Sequence, residues 1–362
     1  MDFTFEADQL ALRDLATQVF GGSVDLARLK KIEADGPIDR AWWGDLASTD
    51  LLGVCLPTEY GGSGHGMTEL CLMLEAQGRA LAPLPLLETI ALGALPIAQF
   101  GSDAQRAAWL PRIIAGDAIL TTAFDEPDNL DVTTPRTTAT ADGVLHGHKL
   151  AVPAGHVADA VLVPATLPDG AAGVFLVATD AAGVTCEVVA TTDYRGAANM
   201  AFDGAPGEQL VGADVGWMYD RALVAIAALQ LGVAREALRL TAEYVSGREQ
   251  FGKPLSSFQG VALRAADAYI NATAMDATLW QAAWRLDQGL DATNEITIAK
   301  WWAAEGGNQV VFATQHLHGG MGADIDYPIH RYFLWGKQLA DRLGGASQQL
   351  ARLGARIVEH YR

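Results

Sequence analysis

The sequence predicts an α+β fold in which a small β domain lies between two helical domains. Apolar residues recur with a helical period in residues 1–118, and the same period returns in residues 215–362. Residues 119–214 are instead rich in Thr, Val and Gly and contain short strand-like runs. A chain of 362 residues that is 50% hydrophobic can bury more than one core. We therefore predict three domains, covering 1–118, 119–214 and 215–362.

In the first domain, Leu12, Leu15 and Val19 lie at i, i+3 and i+7, which predicts an amphipathic helix. Residues 109–114 form a second apolar stripe of the same kind. Between the two stripes, Leu56–Gly64 contains Pro, Gly and Ser in an order that is typical of a turn-rich loop.

The second domain contains short apolar runs bounded by Gly and Asp, as in Ala160–Pro164 and Val174–Ala178, which predict half-buried strands. Asp142-Gly143 predicts a hairpin turn. The third domain contains three helical patterns long enough to form a bundle, namely Ala222–Tyr244, Val261–Gln288 and Ala292–His316.

The charge balance limits the classes of partner. Lys and Arg number 25 against 43 Asp and Glu, a formal net charge of −18 at pH 7. A surface this acidic repels nucleic-acid phosphates and anionic lipid headgroups, so we expect neither nucleic acid nor a membrane as a partner. A phosphate-bearing cofactor would need Arg or Lys residues placed locally against this field.

Cysteine usage and the N-terminal composition predict the compartment. Cys55, Cys71 and Cys186 are isolated from one another, without the spacing of a disulfide framework or a metal site. Glu6 and Asp8 lie where a signal peptide would be basic and then apolar, and the longest apolar run is shorter than the ~20 residues of a membrane span. We expect a soluble, cytoplasmic protein.

The segment Gly247–Gln259 is the first candidate binding site. A helix ends there at a glycine-containing turn that carries Arg248, a residue suited to an anion. By its chemistry alone, the segment is equally typical of a helix C-cap with a solvated Arg248–Glu249 ion pair.

The segment Gln315–Gly322 is the second candidate site. Its paired glycines follow a helix and would allow the backbone to approach a phosphate or a ring, although a plain turn has the same composition. His316 and His318 are two residues apart and cannot share a metal on a helix, so we predict no metal site.

The chain resembles the FAD-dependent acyl-CoA dehydrogenases in four motifs that occur in the same order: Leu56-Pro-Thr-Glu-Tyr-Gly-Gly62, Ala123-Phe-Asp-Glu-Pro127, Arg248-Glu-Gln-Phe-Gly252 and His318-Gly-Gly-Met-Gly322. The resemblance implies an N-terminal helical domain, a middle β-barrel, a C-terminal four-helix bundle and assembly into a tetramer. It also implies α,β-dehydrogenation of an acyl-CoA thioester. In that reaction a base removes the Cα proton, FAD accepts a hydride from Cβ, and electron-transfer flavoprotein is the expected acceptor.

The resemblance further implies which residues bind the cofactor. In the family, the C-terminal domain of one subunit holds the pyrophosphate and adenosine of an FAD whose ring lies in a neighbouring subunit. Six residues of this chain match that half of the site. They are Arg248 at the pyrophosphate, Phe251 and Gln259 on the adenosine side, Gly319 and Gly320 as the pair that approaches the cofactor, and His316 where most members have Gln.

The same comparison of motifs assigns no catalytic residue. The base of the family is a glutamate whose position falls on Gly344 here, and the position used by some members falls on Ala222, so neither offers a carboxylate for the Cα proton. Three further departures concern the flavin ring and CoA. Asp125 stands at a Thr position with the following glycines lost, Ala151 replaces the aromatic residue that stacks on the flavin, and Leu223 replaces an Arg.

These departures predict the partner-type subunit of a hetero-oligomeric acyl-CoA dehydrogenase. Such α2β2 enzymes are known among actinobacterial members, often acting on bulky acyl-CoAs such as steroid side-chain thioesters. A homologous catalytic chain would bind the acyl-CoA, and this chain would complete the FAD site in trans. Two alternatives remain. One is a homotetramer with a base relocated to Asp220, Asp341 or Glu243, and the other is a flavin-free binding or scaffold protein on the same fold.

Overall fold

The computed structural model describes residues 4–21, 25–36 and 38–360, and within them the predicted order of helical, β and helical segments is confirmed. The helices before the sheet are α1 (Ala7–Val19), α2 (Leu26–Asp35), α3 (Arg40–Ser48), α4 (Met67–Ala80), α5 (Leu95–Phe100) and α6 (Asp103–Ile114), with a π-helical segment at Leu87–Ala94. The helices after the sheet are α7 (Val215–Gly247), α8 (Gln259–Asp287), α9 (Thr293–Leu317), α10 (Ile329–Asp341) and α11 (Ala346–His360).

The middle segment forms a curled eight-stranded sheet. Its strands are β1 (Leu120–Thr122), β2 (Thr138–Ala139), β3 (Val144–Pro153), β4 (Ala160–Thr166), β5 (Ala172–Ala178), β6 (Val184–Val189), β7 (Ala197–Pro206) and β8 (Glu208–Gln209). Their order is β6-β7-β3-β2-β4-β5-β8, with β1 parallel to β4. Two short strands, β9 (Glu249–Gln250) and β10 (Lys253–Pro254), form a separate hairpin.

Alternation of buried and exposed side chains positions the sheet. Leu145, Phe175, Met200 and Phe202 belong to its buried core, which is why the Thr- and Val-rich segment folds as strands. The turn predicted at Asp142-Gly143 is confirmed. Gly143 has a φ of +82°, which favours glycine, and its amide donates to the carbonyl oxygen of Thr140 at 3.0 Å.

The chain divides into two compact units, each built from segments that are distant in sequence. The first comprises Met1–Lys31, Met67–Ala82 and Leu223–Arg362. The second comprises Ile32–Gly66 and Pro83–Ala222 and contains the curled sheet.

Within the first unit, α4 and α7 pack with their backbones in contact. A Cβ added to Gly232 of α7 would lie 2.0 Å from the carbonyl oxygen of Glu75, and one added to Gly78 of α4 would lie 2.2 Å from that of Leu229. Only glycine allows this approach. The Glu75 carboxylate also accepts from Arg235 at 2.8 Å, so an ion pair joins the same two helices.

The remaining helices of the first unit pack as a helical bundle. Gly307 of α9 lies against Gln230 of α7, and the amide of Gln230 donates to the carbonyl oxygen of Gly336 in α10 at 3.2 Å. Among the described residues, no helix combines the length and the apolar character needed to cross a membrane.

Candidate functional site

Arg248 follows directly on the last residue of α7, at the base of the β9–β10 hairpin. Its amide donates to the carbonyl oxygen of Tyr244 at 2.8 Å, which continues the helical pattern by one residue. Its carbonyl oxygen accepts from the amide of Leu255 at 2.8 Å, which closes the hairpin. The side chain is exposed, and no residue in the described ranges forms an ion pair with it. Its guanidinium therefore remains available to an anion.

Phe251 lies at the tip of the hairpin and is 91% exposed. Phe251 and Gly252 both have positive φ, +55° and +76°, as a two-residue turn with the twist of a β-hairpin requires. The Phe251 ring meets that of Phe258 edge to face, with centroids 6.2 Å apart. An aromatic ring held this far into solvent by a fixed turn is suited to contact with a ligand or another subunit.

Gln259 is the first residue of α8 and is exposed. The first amides of any helix have no acceptor inside the helix and carry the positive end of its dipole. Since Phe258, the N-cap residue of α8, provides no side-chain cap, these amides add to the positive character beside Arg248. The hairpin thus places Arg248, Phe251 and Gln259 in one continuous segment.

The end of α9 brings the second predicted segment together with the first. His318 caps α9, and its ring stacks on that of Tyr244 in α7, with centroids 4.4 Å apart and an interplanar angle of 24°. Tyr244 is one helical turn before Arg248, and His318 directly precedes Gly319. The structure therefore places Arg248 and the two glycines on either side of the Tyr244–His318 stack.

Gly319 and Gly320 are exposed, and Gly319 has a φ of +58°. A Cβ added to either would meet no described atom within 4 Å apart from its chain neighbours. The loop they begin is closed by Gln315, whose side-chain amide donates to the carbonyl oxygen of Gly322 at 2.9 Å. His316 is exposed in the last turn of α9.

His318 has a role that sequence reasoning missed, although it lies within a motif that carries the resemblance. Its Nδ1 lies 2.8 Å from the carbonyl oxygen of Thr314, so this nitrogen carries the proton and Nε2 is an acceptor. The side chain is buried, and Nε2 has no hydrogen-bond partner among the described residues. Burial lowers the pKa of the imidazole, which keeps it neutral near pH 7.

These features fit the pyrophosphate and adenosine half of an FAD site. Arg248 and the start of α8 provide positive charge, the two glycines leave open space beside the backbone, and Nε2 of His318 is a buried acceptor that still lacks a donor. A diphosphate with an attached nucleoside needs donors, free backbone approach and an aromatic surface.

The second unit contains the residues that the resemblance places beside the flavin ring. Asp125 and Ala151 are brought together, because the carbonyl oxygen of Asp125 accepts from the amide of Leu150 at 2.8 Å. Ala151 has a φ of +44°, and its own amide donates to the side-chain oxygen of Asn199 at 3.0 Å. The backbone donor at this position is thus already satisfied within the chain.

A buried ion pair supports this region and was not predicted. Lys149 Nζ lies 2.7 Å from Glu126 Oε1, and the two side chains are 0% and 1% exposed. Glu126 also accepts from the amides of Arg136 and Thr137. Burial raises the pKa of Glu126, but the Lys149 ammonium and the hydrogen bonds outweigh burial and lower the pKa to about 2. The pair therefore fixes the loop after Phe124 to β3.

Gly344, the position that the resemblance assigns to the base, lies in the turn between α10 and α11. Its φ is +97°, and an added Cβ would lie 2.8 Å from Oε1 of Gln348 and 2.9 Å from Nε2 of Gln349. The buried Gln349 in turn donates to the carbonyl oxygens of Leu343 and Gly344. The turn is built around a glycine, so a side chain at this position would be strained.

Ala222 and Leu223 are fully buried in α7. Of the three carboxylates considered as replacements for the base, Glu243 pairs with Arg239 and is exposed, Asp341 is exposed at the end of α10, and Asp220 is half-buried in α7. None of the described residues forms a group of His, Cys, Asp and Glu that could hold a metal ion.

Two family models match the chain. One is described as the acyl-CoA dehydrogenase N-terminal domain and matches residues 6–117, and the other is the acyl-CoA dehydrogenase C-terminal domain and matches residues 217–358. The acyl-CoA dehydrogenase FadE27 of Mycobacterium tuberculosis is 38% identical, over 95% of this chain and 97% of that protein.

Two solved structures are similar over nearly the whole length. A structure described as a Tcur3481-Tcur3483 steroid ACAD variant has a TM-score of 0.94 and 46% identity, and covers 98% of each chain. The ChsE4-ChsE5 complex from Mycobacterium tuberculosis has a TM-score of 0.93 and 36% identity, and covers 99% of each chain.

Proposed function

This chain belongs to the acyl-CoA dehydrogenase family, and we propose that it is a non-catalytic subunit that completes the FAD site of a homologous catalytic chain. When bound, FAD supplies the hydride acceptor of the dehydrogenation. In this proposal the present chain holds the pyrophosphate through Arg248 and the adenosine side through Phe251, Gln259 and His316. The backbone at Gly319 and Gly320 approaches the cofactor.

The turn at Gly344 is the observation that carries the proposal. A chain that had merely lost its glutamate would keep a backbone able to accept a side chain there. Instead, the backbone is left-handed and the space of a Cβ is occupied by Gln348 and Gln349. Proton abstraction from Cα needs a carboxylate within hydrogen-bond reach, and the turn is folded so as to disfavour one.

The two sides of the cofactor site differ in the same direction. On the adenosine side, Arg248 has no ion pair within the described part of the chain and Nε2 of His318 awaits a donor. On the ring side, the amide of Ala151 is already bonded to Asn199, and no aromatic ring is present at that position. This asymmetry supports a chain that shares a cofactor without holding its ring.

The substrate and the assembly are part of the proposal. One similar structure is described as a steroid ACAD with two gene products in its name, and another as a complex of two chains. We therefore infer a heterotetramer whose catalytic chain binds a steroid-derived acyl-CoA and passes electrons to electron-transfer flavoprotein, in the cytoplasm.

Flavin content tests the proposal. The chain is purified alone and together with a homologous chain, encoded by a neighbouring gene, that keeps the family glutamate. The expected result is little flavin and no dye-linked dehydrogenase activity alone, and a yellow, active complex with the partner. Flavin and turnover in the isolated chain would support the homotetramer instead, and a colourless complex would support the flavin-free scaffold.

A further inference from the structure

The first half of α8 exposes an apolar stripe to solvent. It consists of Ala262, Leu263, Ala266, Tyr269 and Ile270, all exposed, and is called the α8 stripe below. Leu263, Tyr269 and Ile270 are 58%, 65% and 61% exposed. Large apolar side chains grouped on one helix face in this way are typical of an interaction surface.

The five side chains share one face of the helix. At about 100° per residue they fall within an arc of about 120°. The opposite face of α8 is buried within its own unit, through Ala268, Ala272 and Met275. The α8 stripe is therefore a second apolar face, which the fold of the chain leaves uncovered.

The α8 stripe is symmetric about Ala266. Its other members lie three and four residues before and after that alanine. In two antiparallel copies of α8 crossing at Ala266, the small Ala262 of each faces Ile270 of the other, and Leu263 faces Tyr269. The smallest side chain stands at the crossing point, where two helices approach most closely.

We propose that the α8 stripe packs against the α8 stripe of a second copy of this chain, antiparallel and about a twofold axis at Ala266. A twofold contact requires that one surface complement itself, and this pairing of small with large side chains does so. A homologous chain with a different sequence would not reproduce the pairing.

Charge supports the choice of a second copy. The chain carries −18, so two copies repel each other over most of their surface. Residues 259–273 carry one cation and one anion, Arg264 and Asp267, which sum to zero. Two copies meet at this segment without adding to the repulsion.

The area of the α8 stripe sets the strength of the contact. The exposed parts of its three large side chains offer on the order of 300 Å² per copy. A stable complex buries about 800 Å² per partner. The contact is therefore a weak one that joins copies within a larger assembly and populates a dimer of the isolated chain only at high concentration.

A cysteine cross-link tests the contact. In a Cys186→Ser background, which removes the exposed native thiol, Ala266→Cys is introduced into the full chain. At an interaxial distance of about 8–10 Å, the two Cα atoms at the crossing lie about 3.5–5.5 Å apart, within disulfide range. Arg264→Cys is the matched control, because it is exposed on the same helix about 160° around from Ala266.

Under mild oxidation of the concentrated chain alone, Ala266→Cys is expected to give a disulfide-linked species of twice 38.3 kDa on non-reducing electrophoresis, and Arg264→Cys only a trace. Equal cross-linking of the two variants, or none at position 266, overturns the proposal. Because the readout needs neither FAD nor a catalytic chain, its failure is distinguishable from failure of the proposed function.

A second variant separates the two occupants of the α8 stripe. Ala266→Glu, co-expressed with the catalytic chain, is expected to halve the mass of the assembly while its flavin content is unchanged. Separation of the two kinds of chain with loss of flavin would mean that the catalytic chain covers the α8 stripe, which contradicts the proposal.

Discussion

Arg248 is a solvent-exposed cation in a chain of net charge −18, and it stands beside the uncapped start of α8. Its position gives the sharpest test of the cofactor half-site. If it binds the FAD pyrophosphate, it is the main local offset to two phosphate charges. If it is only a solvated residue at a helix end, its removal has almost no effect.

We predict that Arg248→Ala, co-expressed with the catalytic chain, gives an assembled but flavin-poor complex. A hydrogen bond to a charged group is worth roughly 1.5–3 kcal/mol, which corresponds to a loss of affinity of about 10- to 150-fold. Arg248→Lys should fall between, because an ammonium does not reproduce the planar fork of the guanidinium. The measurement is the ratio of flavin to protein absorbance.

Arg264→Ala is the control for that experiment, since Arg264 is also exposed in the first unit but lies outside the predicted site. It should leave the flavin ratio unchanged. An Arg248→Ala complex with the same flavin ratio as Arg264→Ala would show that this chain does not hold the pyrophosphate.

At Gly344 we predict that restoring the family residue does not restore the enzyme. Gly344→Glu should lower stability by about 1–3 kcal/mol, because a non-glycine residue at φ +97° is strained and its Cβ meets Gln348 and Gln349. The homomeric variant should remain inactive, since a base without aligned reacting atoms does not catalyse. Urea denaturation and a dye-linked assay measure the two effects.

Gly345→Ala provides the comparison, because Gly345 has no positive φ and its nearest added contact is a carboxylate oxygen of Asp341 at 3.3 Å. Its stability should change less than that of Gly344→Ala. Substantial activity of Gly344→Glu would show that the rest of the active site is intact.

The buried Glu126–Lys149 pair predicts an acid-dependent loss of stability. The folded-state pKa of Glu126, about 2, is below its ordinary value, so its contribution is full above pH ~4.5 and is lost as the pH falls toward 2. Lys149→Met should cost about 3–5 kcal/mol at pH 7, because it leaves a buried carboxylate unpaired. In the Glu126→Gln, Lys149→Met double variant, the unfolding free energy should depend less on pH between 5 and 2 than in the natural chain.

Among the elements, the α4–α7 contact depends on two glycines and explains why these helices approach so closely. We predict that Gly232→Ala destabilises the protein by about 1–3 kcal/mol or more, because its Cβ would lie 2.0 Å from a backbone oxygen that cannot move without shifting α4. Urea denaturation measures the change.

Gly354→Ala in α11 should have the opposite sign. Gly354 lies inside a helix with no described atom within 4 Å of an added Cβ, so alanine should stabilise by about 0.5–1 kcal/mol through helix propensity. If the two variants changed stability equally, the close approach of α4 and α7 would not be what requires Gly232.

For the whole molecule, the excess of 18 negative charges predicts a response to salt. Raising NaCl from about 0.01 M to about 0.15 M shortens the Debye length from ~30 Å to ~8 Å and screens the self-repulsion of the folded chain. The Tm of the isolated chain should rise, by roughly 2 °C for each kcal/mol of relieved repulsion. A matched series in choline chloride separates screening from specific ion binding. A falling Tm would mean that ion pairs such as Glu75–Arg235 outweigh the repulsion.

Sequence alone predicted the order of elements well, because helices and strands follow from local periodicity. The three long helices of the C-terminal segment, the strands at residues 160 and 174 and the turn at Gly143 are all present. These features depend on residues within a few positions of each other, where apolar spacing and turn chemistry decide the conformation. The family could likewise be inferred, because its motifs lie along the chain in a fixed order.

Only the tertiary structure decided what surrounds each candidate residue. The Tyr244–His318 stack, the Glu126–Lys149 pair and the contact of Gly232 with Glu75 join residues that are 74, 23 and 157 positions apart, and no local pattern encodes which distant groups meet. The left-handed backbone at Gly344 was equally hidden, because a glycine in the sequence is compatible with either sign of φ. Which residues share a face follows from spacing, but what that face touches follows from packing of the whole chain.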